Sequence, residues 1–331
     1  MPAPARHDRI ELHLHLEGAA PPAFIRGLAA EKSHELRGVF DADGAYVFTD
    51  FAHFLKTYEA ATSVLQTPQD YYRLTRAVLE AQAEHGILYT EVFLSPQYCG
   101  GGDVSAWRDY LAAIMQAADE AEAQDGVILR GILTAVRHFG PDHAKRSAAC
   151  AQETAGDWLV GFGMGGNESI GQASDFAYAF DMAREAALRL TSHAGEWAGP
   201  QEIHDALDHL SVERIGHGVR AAENPALMDR LAEAGTVLEV CPGSNIALGL
   251  FPSWADHPIE KLRAHGVAVT VSTDDPPFFH THMTREYEQL ADAFGWDEAA
   301  FRAMNRIAAE AAFCDATTKD RLLKALETED D

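Results

Sequence analysis

Short apolar runs recur along this chain, each followed by a stretch in which apolar residues return every three or four positions. The runs are Ile10–Leu14, Leu88–Leu94, Leu129–Ala135, Leu159–Phe162, Leu188–Ser192, Arg214–Gly216, Val237–Val240 and Val267–Ser272. Runs of this length read as buried strands, and the three-to-four periodicity reads as amphipathic helix. The clearest helical patterns cover Tyr71–His85, Trp107–Ala123, Ala173–Glu185 and Pro225–Ala234. Gly86, Gly126, Gly235 and Gly266 stand at helix stops, where a residue tolerant of the left-handed conformation ends the hydrogen-bond ladder. Strands alternating with helices predict βαβ units and a parallel sheet. Eight such units in one chain predict a single α/β domain over residues 1–331, a (β/α)8 TIM barrel.

One connection breaks the rhythm. Residues 19–87 separate the first strand from the second, far more than a βα crossover needs. They hold a helix begun at Pro21, a turn at Asp41-Ala-Asp-Gly44 and an amphipathic helix near Asp50–Val64. A helical insertion of that size is expected to act as a lid over the barrel mouth.

Composition narrows the class. The chain has 331 residues, 47% hydrophobic and 23% charged, which suits a globular protein with an ample core. Lys+Arg number 26 against 51 Asp+Glu, a formal net charge of -25. Such a surface repels phosphate backbones and anionic lipid, so the expected partner is a small molecule, with no nucleic acid and no membrane. Cys99, Cys150, Cys241 and Cys314 form no C-x-x-C pair and read as reduced, mostly buried thiols. No apolar run could span a bilayer, and the first residues lack the apolar segment of a secretory signal. A cytoplasmic location is expected. Glu327-Thr-Glu-Asp-Asp331 reads as a frayed acidic tail. Oligomeric state is not legible in the chain.

The chemistry sits at strand ends. His13 and His15 close the first strand, two residues apart and so on one face, about 6.6 Å apart at Cα. Both rings can reach one ion at roughly 2.0–2.1 Å. His280-Thr-His282 has the same spacing but follows Pro276-Pro-Phe-Phe279 and reads as loop. His193-Ala-Gly-Glu196 follows the fifth strand, with Gly195 allowing a sharp turn. His217 follows the sixth, and Asp274-Asp275 follow the eighth. An Asp-Asp-Pro sequence alone suits a turn or helix cap. Together, however, these residues fall at the carboxyl ends of strands, which converge on one face of a barrel. Three imidazoles and one carboxylate suit one Zn2+ per chain, leaving His217, Glu196 and Asp275 beside an activated water. No lysine ends a strand, so a carbamate-bridged pair of ions is not expected.

The motifs His13-Leu-His-Leu-Glu-Gly18, Ser192-His-Ala-Gly-Glu196, Arg214-Ile-Gly-His-Gly218, Cys241-Pro-Gly-Ser-Asn245 and Ser272-Thr-Asp-Asp-Pro276 resemble, in order, those of the adenosine deaminase family of metal-dependent amidohydrolases. The resemblance implies one Zn2+ held by His13, His15, His193 and Asp274. It implies Glu196 as proton donor to purine N1, His217 as the group that orients and helps deprotonate the attacking water, and Asp275 as a contact to that water and to purine N7. His15, Glu17, Gly166 and Asp275 are the implied substrate contacts.

Substrate signals conflict. Gly166, in Gly163-Met-Gly-Gly-Asn-Glu168, aligns with the glycine that meets purine N3 in adenosine-specific members, although Gly163 replaces a leading Asp. Glu17 stands where nucleoside-specific members carry an Asp, and a Glu is common in adenine-specific relatives. The resulting expectation is a zinc-dependent hydrolase converting adenosine, and deoxyadenosine, to inosine and ammonia. Its alternative is adenine, giving hypoxanthine, or another adenosine-like aminopurine. Arg137-His138 ends the third strand as pocket lining or rim. Phe51, Phe54 and Tyr58 have helical spacing and read first as packing. A polynucleotide deaminase is excluded, because its H-x-E and P-C-x-x-C set is not present. A non-enzymatic purine-binding barrel is disfavoured, because no member of the catalytic set has been lost.

Overall fold

The computed structural model describes residues 8–327, so the acidic tail after Glu327 lies outside the described residues. Its strands are β1 (Arg9–His15), β2 (Ile87–Leu94), β3 (Ile128–Val136), β4 (Leu159–Gly165), β5 (Arg189–Ala194), β6 (Arg214–His217), β7 (Val237–Val240) and β8 (Val269–Val271). They pair in parallel in the order β1-β2-β3-β4-β5-β6-β7-β8. Each expected strand is present. β8 is shorter than its apolar run at both ends, and the chain beyond it swings across to β1. Asp274 N–H donates to His13 O at 3.1 Å, and His15 N–H donates to Asp274 O at 3.0 Å. That exchange draws the sheet into a nearly closed (β/α)8 barrel and places a site residue on the seam.

Helices fill the connections. The long first one holds α1 (Pro22–Glu31), α2 (Phe51–Thr62) and α3 (Pro68–Glu84). Then come α4 (Val104–Asp125), α5 (Pro141–Thr154), α6 (Ala173–Glu185), α7 (Pro200–Asp205), α8 (Pro225–Ala234), α9 (Pro242–Ala247) and α10 (Ile259–Ala264). After β8 follow α11 (Met283–Phe294), α12 (Glu298–Ala311) and α13 (Ala316–Glu327). Local chemistry explains the boundaries. Thr67 and Asp70 form a reciprocal capping box at α3, and Gly126 ends α4 with φ of 78°. The pattern for α5 is faint in the sequence because its buried face is built from Ala144, Ser147, Ala148, Cys150 and Ala151.

Burial is layered. Phe93, Ile132, Val160 and Phe313 fill part of the barrel, while Ala308, Ala309 and Ala312 pack with Ile10, Leu12 and Tyr89 near its lower end. The larger cluster lies between sheet and helices. The four cysteines are free and buried. Among the described residues no helix is long and apolar enough to cross a membrane.

Candidate active site

β1 delivers His13 and His15 side by side, their ring centroids 5.6 Å apart. β5 brings His193 to them, with its Nε2 3.2 Å from His15 Nε2. The seam delivers Asp274, whose Oδ1 lies 3.3 Å from His15 Nε2 and 3.6 Å from His13 Nε2. One ligand atom from each of these four residues lies within 4.8 Å of the others. Only glycine fits between two of the rings. A Cβ on Gly216 would lie 2.9 Å from His13 Cε1 and 3.1 Å from His193 Cα.

Two of the three rings are held in the neutral form that can ligate a cation. Burial lowers His15, and burial with the neighbouring imidazoles lowers His193 well below the ordinary range, so both stay neutral. Burial also opposes charge on His13, but the Asp274 and Glu239 carboxylates beside it carry it up to about 9. His13 Nδ1 meets Glu239 Oε2 at 2.8 Å, which fixes its tautomer, while the buried Nε2 has no hydrogen-bond partner. A bare imidazole nitrogen beside a carboxylate, with the other nitrogen tied to a second carboxylate, is the arrangement of a metal-ligating histidine. The four donors therefore fit a divalent ion of the zinc type. His13, His217, Cys241 and Asp274 also lie within 4.8 Å of one another. That set is a poorer fit, because burial pushes the Cys241 thiol well up and its Sγ donates to Glu239 O.

Around this cluster opens a cavity lined by His15, Glu17, Gly166, His193, Glu196, His217, Asp274 and Asp275. Every expected site residue is thus in its wall except His13, which is fully buried beside His15 and His193. His217 Nε2 lies 3.9 Å from Glu196 Oε2 and 3.8 Å from Asp274 Oδ2. Burial, then the charges of Asp274 and Glu168, pushes the Glu196 carboxyl well above the ordinary range. Asp275 is raised for the same first reason, with Asp274 and Glu196 adding repulsion, and its buried Oδ1 has no hydrogen-bond partner. Gly18 makes room for that carboxyl, since a Cβ there would fall 1.5 Å from Asp275 Oδ1. His217 and Asp274 take left-handed φ values of 58° and 68°, a strained conformation that recurs at functional sites.

Several supporting residues escaped the sequence reading. Glu168 accepts the backbone N–H groups of Glu196, Trp197 and Ala198 at 3.3, 2.8 and 2.7 Å, and so holds the loop that carries Glu196. Ser244 Oγ donates to Asp274 Oδ2 at 2.7 Å. Glu239 also accepts from Thr191 Oγ1 and from Arg214 Nε, and Arg214 Nη2 reaches Glu91 Oε2 at 2.6 Å. The signal available for Glu91 and Glu239 was a lone acid inside an apolar strand, as in Val237-Leu-Glu-Val240. Arg137 turns from the cavity to bind Ile170 O, Gly171 O and Glu202, whereas His138 lines the cavity. Phe51, Phe54 and Tyr58 pack on one another and also form cavity wall. His282 is loop, as expected, and caps α11.

The model of the family described as adenosine deaminase matches residues 8–329. The chain belongs to the adenosine deaminase family. It is a deaminase by that membership, a hydrolase acting on C–N bonds of cyclic amidines. An adenine deaminase of Rhizobium leguminosarum bv. trifolii (strain WSM2304) is 47% identical over 323 residues, covering 96% of this chain and 98% of the relative. The crystal structure of an adenine deaminase from Arthrobacter aurescens superposes with a TM-score of 0.90 at 32% identity, covering 98% and 99% of the two chains. An amidohydrolase from Burkhoderia ambifaria with bound Zn gives 0.85 at 26% identity, covering 97% and 90%.

Proposed function

We propose that this chain is a zinc-dependent adenine deaminase, which hydrolyses adenine to hypoxanthine and ammonia. The observation that carries this reading is Glu17. Its carboxyl lies buried in the cavity wall, accepts from Tyr71 Oη at 2.9 Å, and is pushed up to about 7 by burial. Free adenine carries an imidazole N–H where a nucleoside carries its sugar, and a buried carboxyl oxygen is an acceptor for that N–H. Phe51, Phe54, Leu55 and Leu248 make much of the remaining wall apolar, which leaves ribose hydroxyls few partners. Relatives named adenine deaminase across nearly the whole chain support the same substrate. The sequence expectation of adenosine is therefore replaced by its alternative. Gly166, which favoured adenosine, does not discriminate, because purine N3 is present in base and nucleoside alike.

His13, His15, His193 and Asp274 would hold the single Zn2+, which when bound supplies Lewis-acid activation of a water. Glu196, whose carboxyl burial pushes well above the ordinary range and so toward the protonated form, gives its proton to purine N1, so that ring aromaticity can be broken as C6 is attacked. His217 and Asp275 orient the water, the Glu196 carboxylate left by that transfer takes back one water proton, and the other passes to the C6 amine, which leaves as ammonia. His15, Glu17, Gly166 and Asp275 position the base. Residues 19–87 act as lid of a single barrel domain. Phe51 against Trp197 (4.7 Å) and Phe54 against Phe279 (5.1 Å) seal them over the mouth and exclude water from the reacting base.

Ultraviolet progress curves on zinc-loaded protein, with adenine and adenosine in parallel, test the reading. Adenine should be converted and adenosine left untouched. Conversion of adenosine with adenine inert would overturn it.

A further inference from the structure

Asn245 belongs to the Cys241-Pro-Gly-Ser-Asn245 motif but has no part in the site described so far. It is buried in α9, and its side-chain amide lies between two buried imidazoles. The Nδ2 atom is 3.4 Å from His217 Nδ1, and Oδ1 is 3.1 Å from His257 Nε2. The other nitrogen of His257, Nδ1, lies 3.2 Å from the backbone N of Ile259.

This chain of hydrogen bonds runs in one direction only. A backbone N–H can only donate, and Ile259 opens α10, where an N–H has no partner inside the helix. His257 Nδ1 must therefore accept, which leaves the proton of the ring on Nε2. That Nε2–H donates to the amide of Asn245, so the amide atom facing it is the oxygen. The amide NH2 then faces His217 and donates to its Nδ1. With Nδ1 accepting, the proton of His217 stands on Nε2. We infer that His257 and Asn245 are positioning residues that fix His217 as its Nε2–H tautomer, aimed at the carboxyls of Glu196 and Asp274.

The tautomer itself follows from donor and acceptor chemistry alone; its consequence for the reaction rests on the deaminase reading. A ring protonated on Nε2, with Nδ1 already accepting from Asn245, has no free nitrogen to receive a proton from the attacking water. His217 then enters the reaction as a hydrogen-bond donor that aligns the water oxygen, and not as the base that first deprotonates it. The left-handed backbone at His217 makes such a hold useful, because neither ring packing against His13 and His193 nor the main chain selects which ring nitrogen carries the proton.

Nuclear magnetic resonance of zinc-loaded protein labelled in its histidine ring nitrogens reads the tautomer directly, with His217 assigned by its loss in H217N. The wild type should show a protonated Nε2 and a bare Nδ1. In N245D the new carboxylate accepts from both rings, so the proton of His217 should move to Nδ1. The kcat for adenine should then fall by about 10–100-fold, the range for a lost partner that orients a site residue, with KM unchanged. H257Q keeps a side-chain N–H toward Asn245 and should retain the wild-type tautomer, whereas H257F should leave His217 a mixture. That pair carries the test if N245D does not fold. A wild-type His217 protonated on Nδ1, or an Nε2–H that survives in both N245D and H257F, would overturn the inference. A protein inert toward adenine but carrying the Nε2–H would overturn the substrate reading and leave this one standing.

Discussion

At mid-barrel, Glu91 and Glu239 face the guanidinium of Arg214, which is itself stacked 3.5 Å over the Phe313 ring. At the mouth, Glu17, Glu196 and Asp275 share a cavity whose wall contains no Lys or Arg among the described residues. Both groups of acids are buried, and burial by itself opposes charge on a carboxyl. Around Glu239 that effect is outweighed by Arg214 and by the hydrogen bond with His13, and its carboxyl sits below the ordinary range. Nothing comparable opposes burial at the mouth, and Glu196 and Asp275 rise well above it. The same residue type thus serves as a fixed negative anchor in one layer and as a carboxyl that resists ionisation in the next, and a guanidinium in direct contact marks the difference between the two sets of side chains.

The contrast breaks most visibly through the proton carrier. Glu196→Gln should lower adenine turnover by about 10²–10⁴-fold, the usual worth of a positioned acid, while zinc content measured by atomic absorption stays at wild type. Wild-type turnover would remove Glu196 from the mechanism. Next in size is the anchor layer. Arg214→Leu strips the cation from two buried carboxylates and should destabilise the fold by about 3–5 kcal/mol in urea unfolding. An unchanged midpoint would show that the mid-barrel acids do not depend on their partner.

Glu239→Gln acts between the layers, because it loosens the hold on His13 Nδ1. Chelator competition should show metal affinity weakened by about 10–100-fold, with the barrel still folded by circular dichroism. The smallest effect concerns Glu286 of α11, another buried acid, which accepts from Thr281 and from the Gly243 N–H. Burial pushes its carboxyl from the ordinary 4.5 to about 8. The folded state therefore binds that proton more tightly than the unfolded chain does. Its contribution is complete below pH 4.5 and is lost as pH rises through 8. Glu239, held below the ordinary range, works in the opposite sense and loses its contribution as pH falls. Glu286→Gln should flatten the decline of unfolding free energy toward alkaline pH, by no more than about 1.4 kcal/mol per pH unit. An identical pH profile in wild type and variant would count against the raised carboxyl.

Much of the site was legible because barrel topology converts sequence position into spatial position. A side chain that closes an apolar run or follows it within two residues lies at a strand's carboxyl end, and those ends share one face. That rule alone grouped His13, His15, His193, His217 and Asp274. It could not find Glu168, Ser244, Asn245 or His257, because these act across loops whose paths no local pattern encodes. Glu239 was visible as an acid in an apolar strand, but its partners Arg214 and Glu91 lie on other strands, and pairing across a sheet leaves no periodic trace. Substrate preference was hard to read for a related reason. Glu17 was seen, but its burial and its bond to Tyr71, 54 positions away, were not.

By itself, the sequence determined the eight-unit barrel, the acidic surface and the identity of the histidines and acids at the mouth. Those follow from periodicities and counts, which are local or additive. The tertiary structure decided which acids resist ionisation, which nitrogens of the site histidines are tied, and where the helices of residues 19–87 pack. Those properties depend on the nearest charge, donor or ring in space, and in this fold the nearest neighbour is usually tens or hundreds of residues distant in the chain.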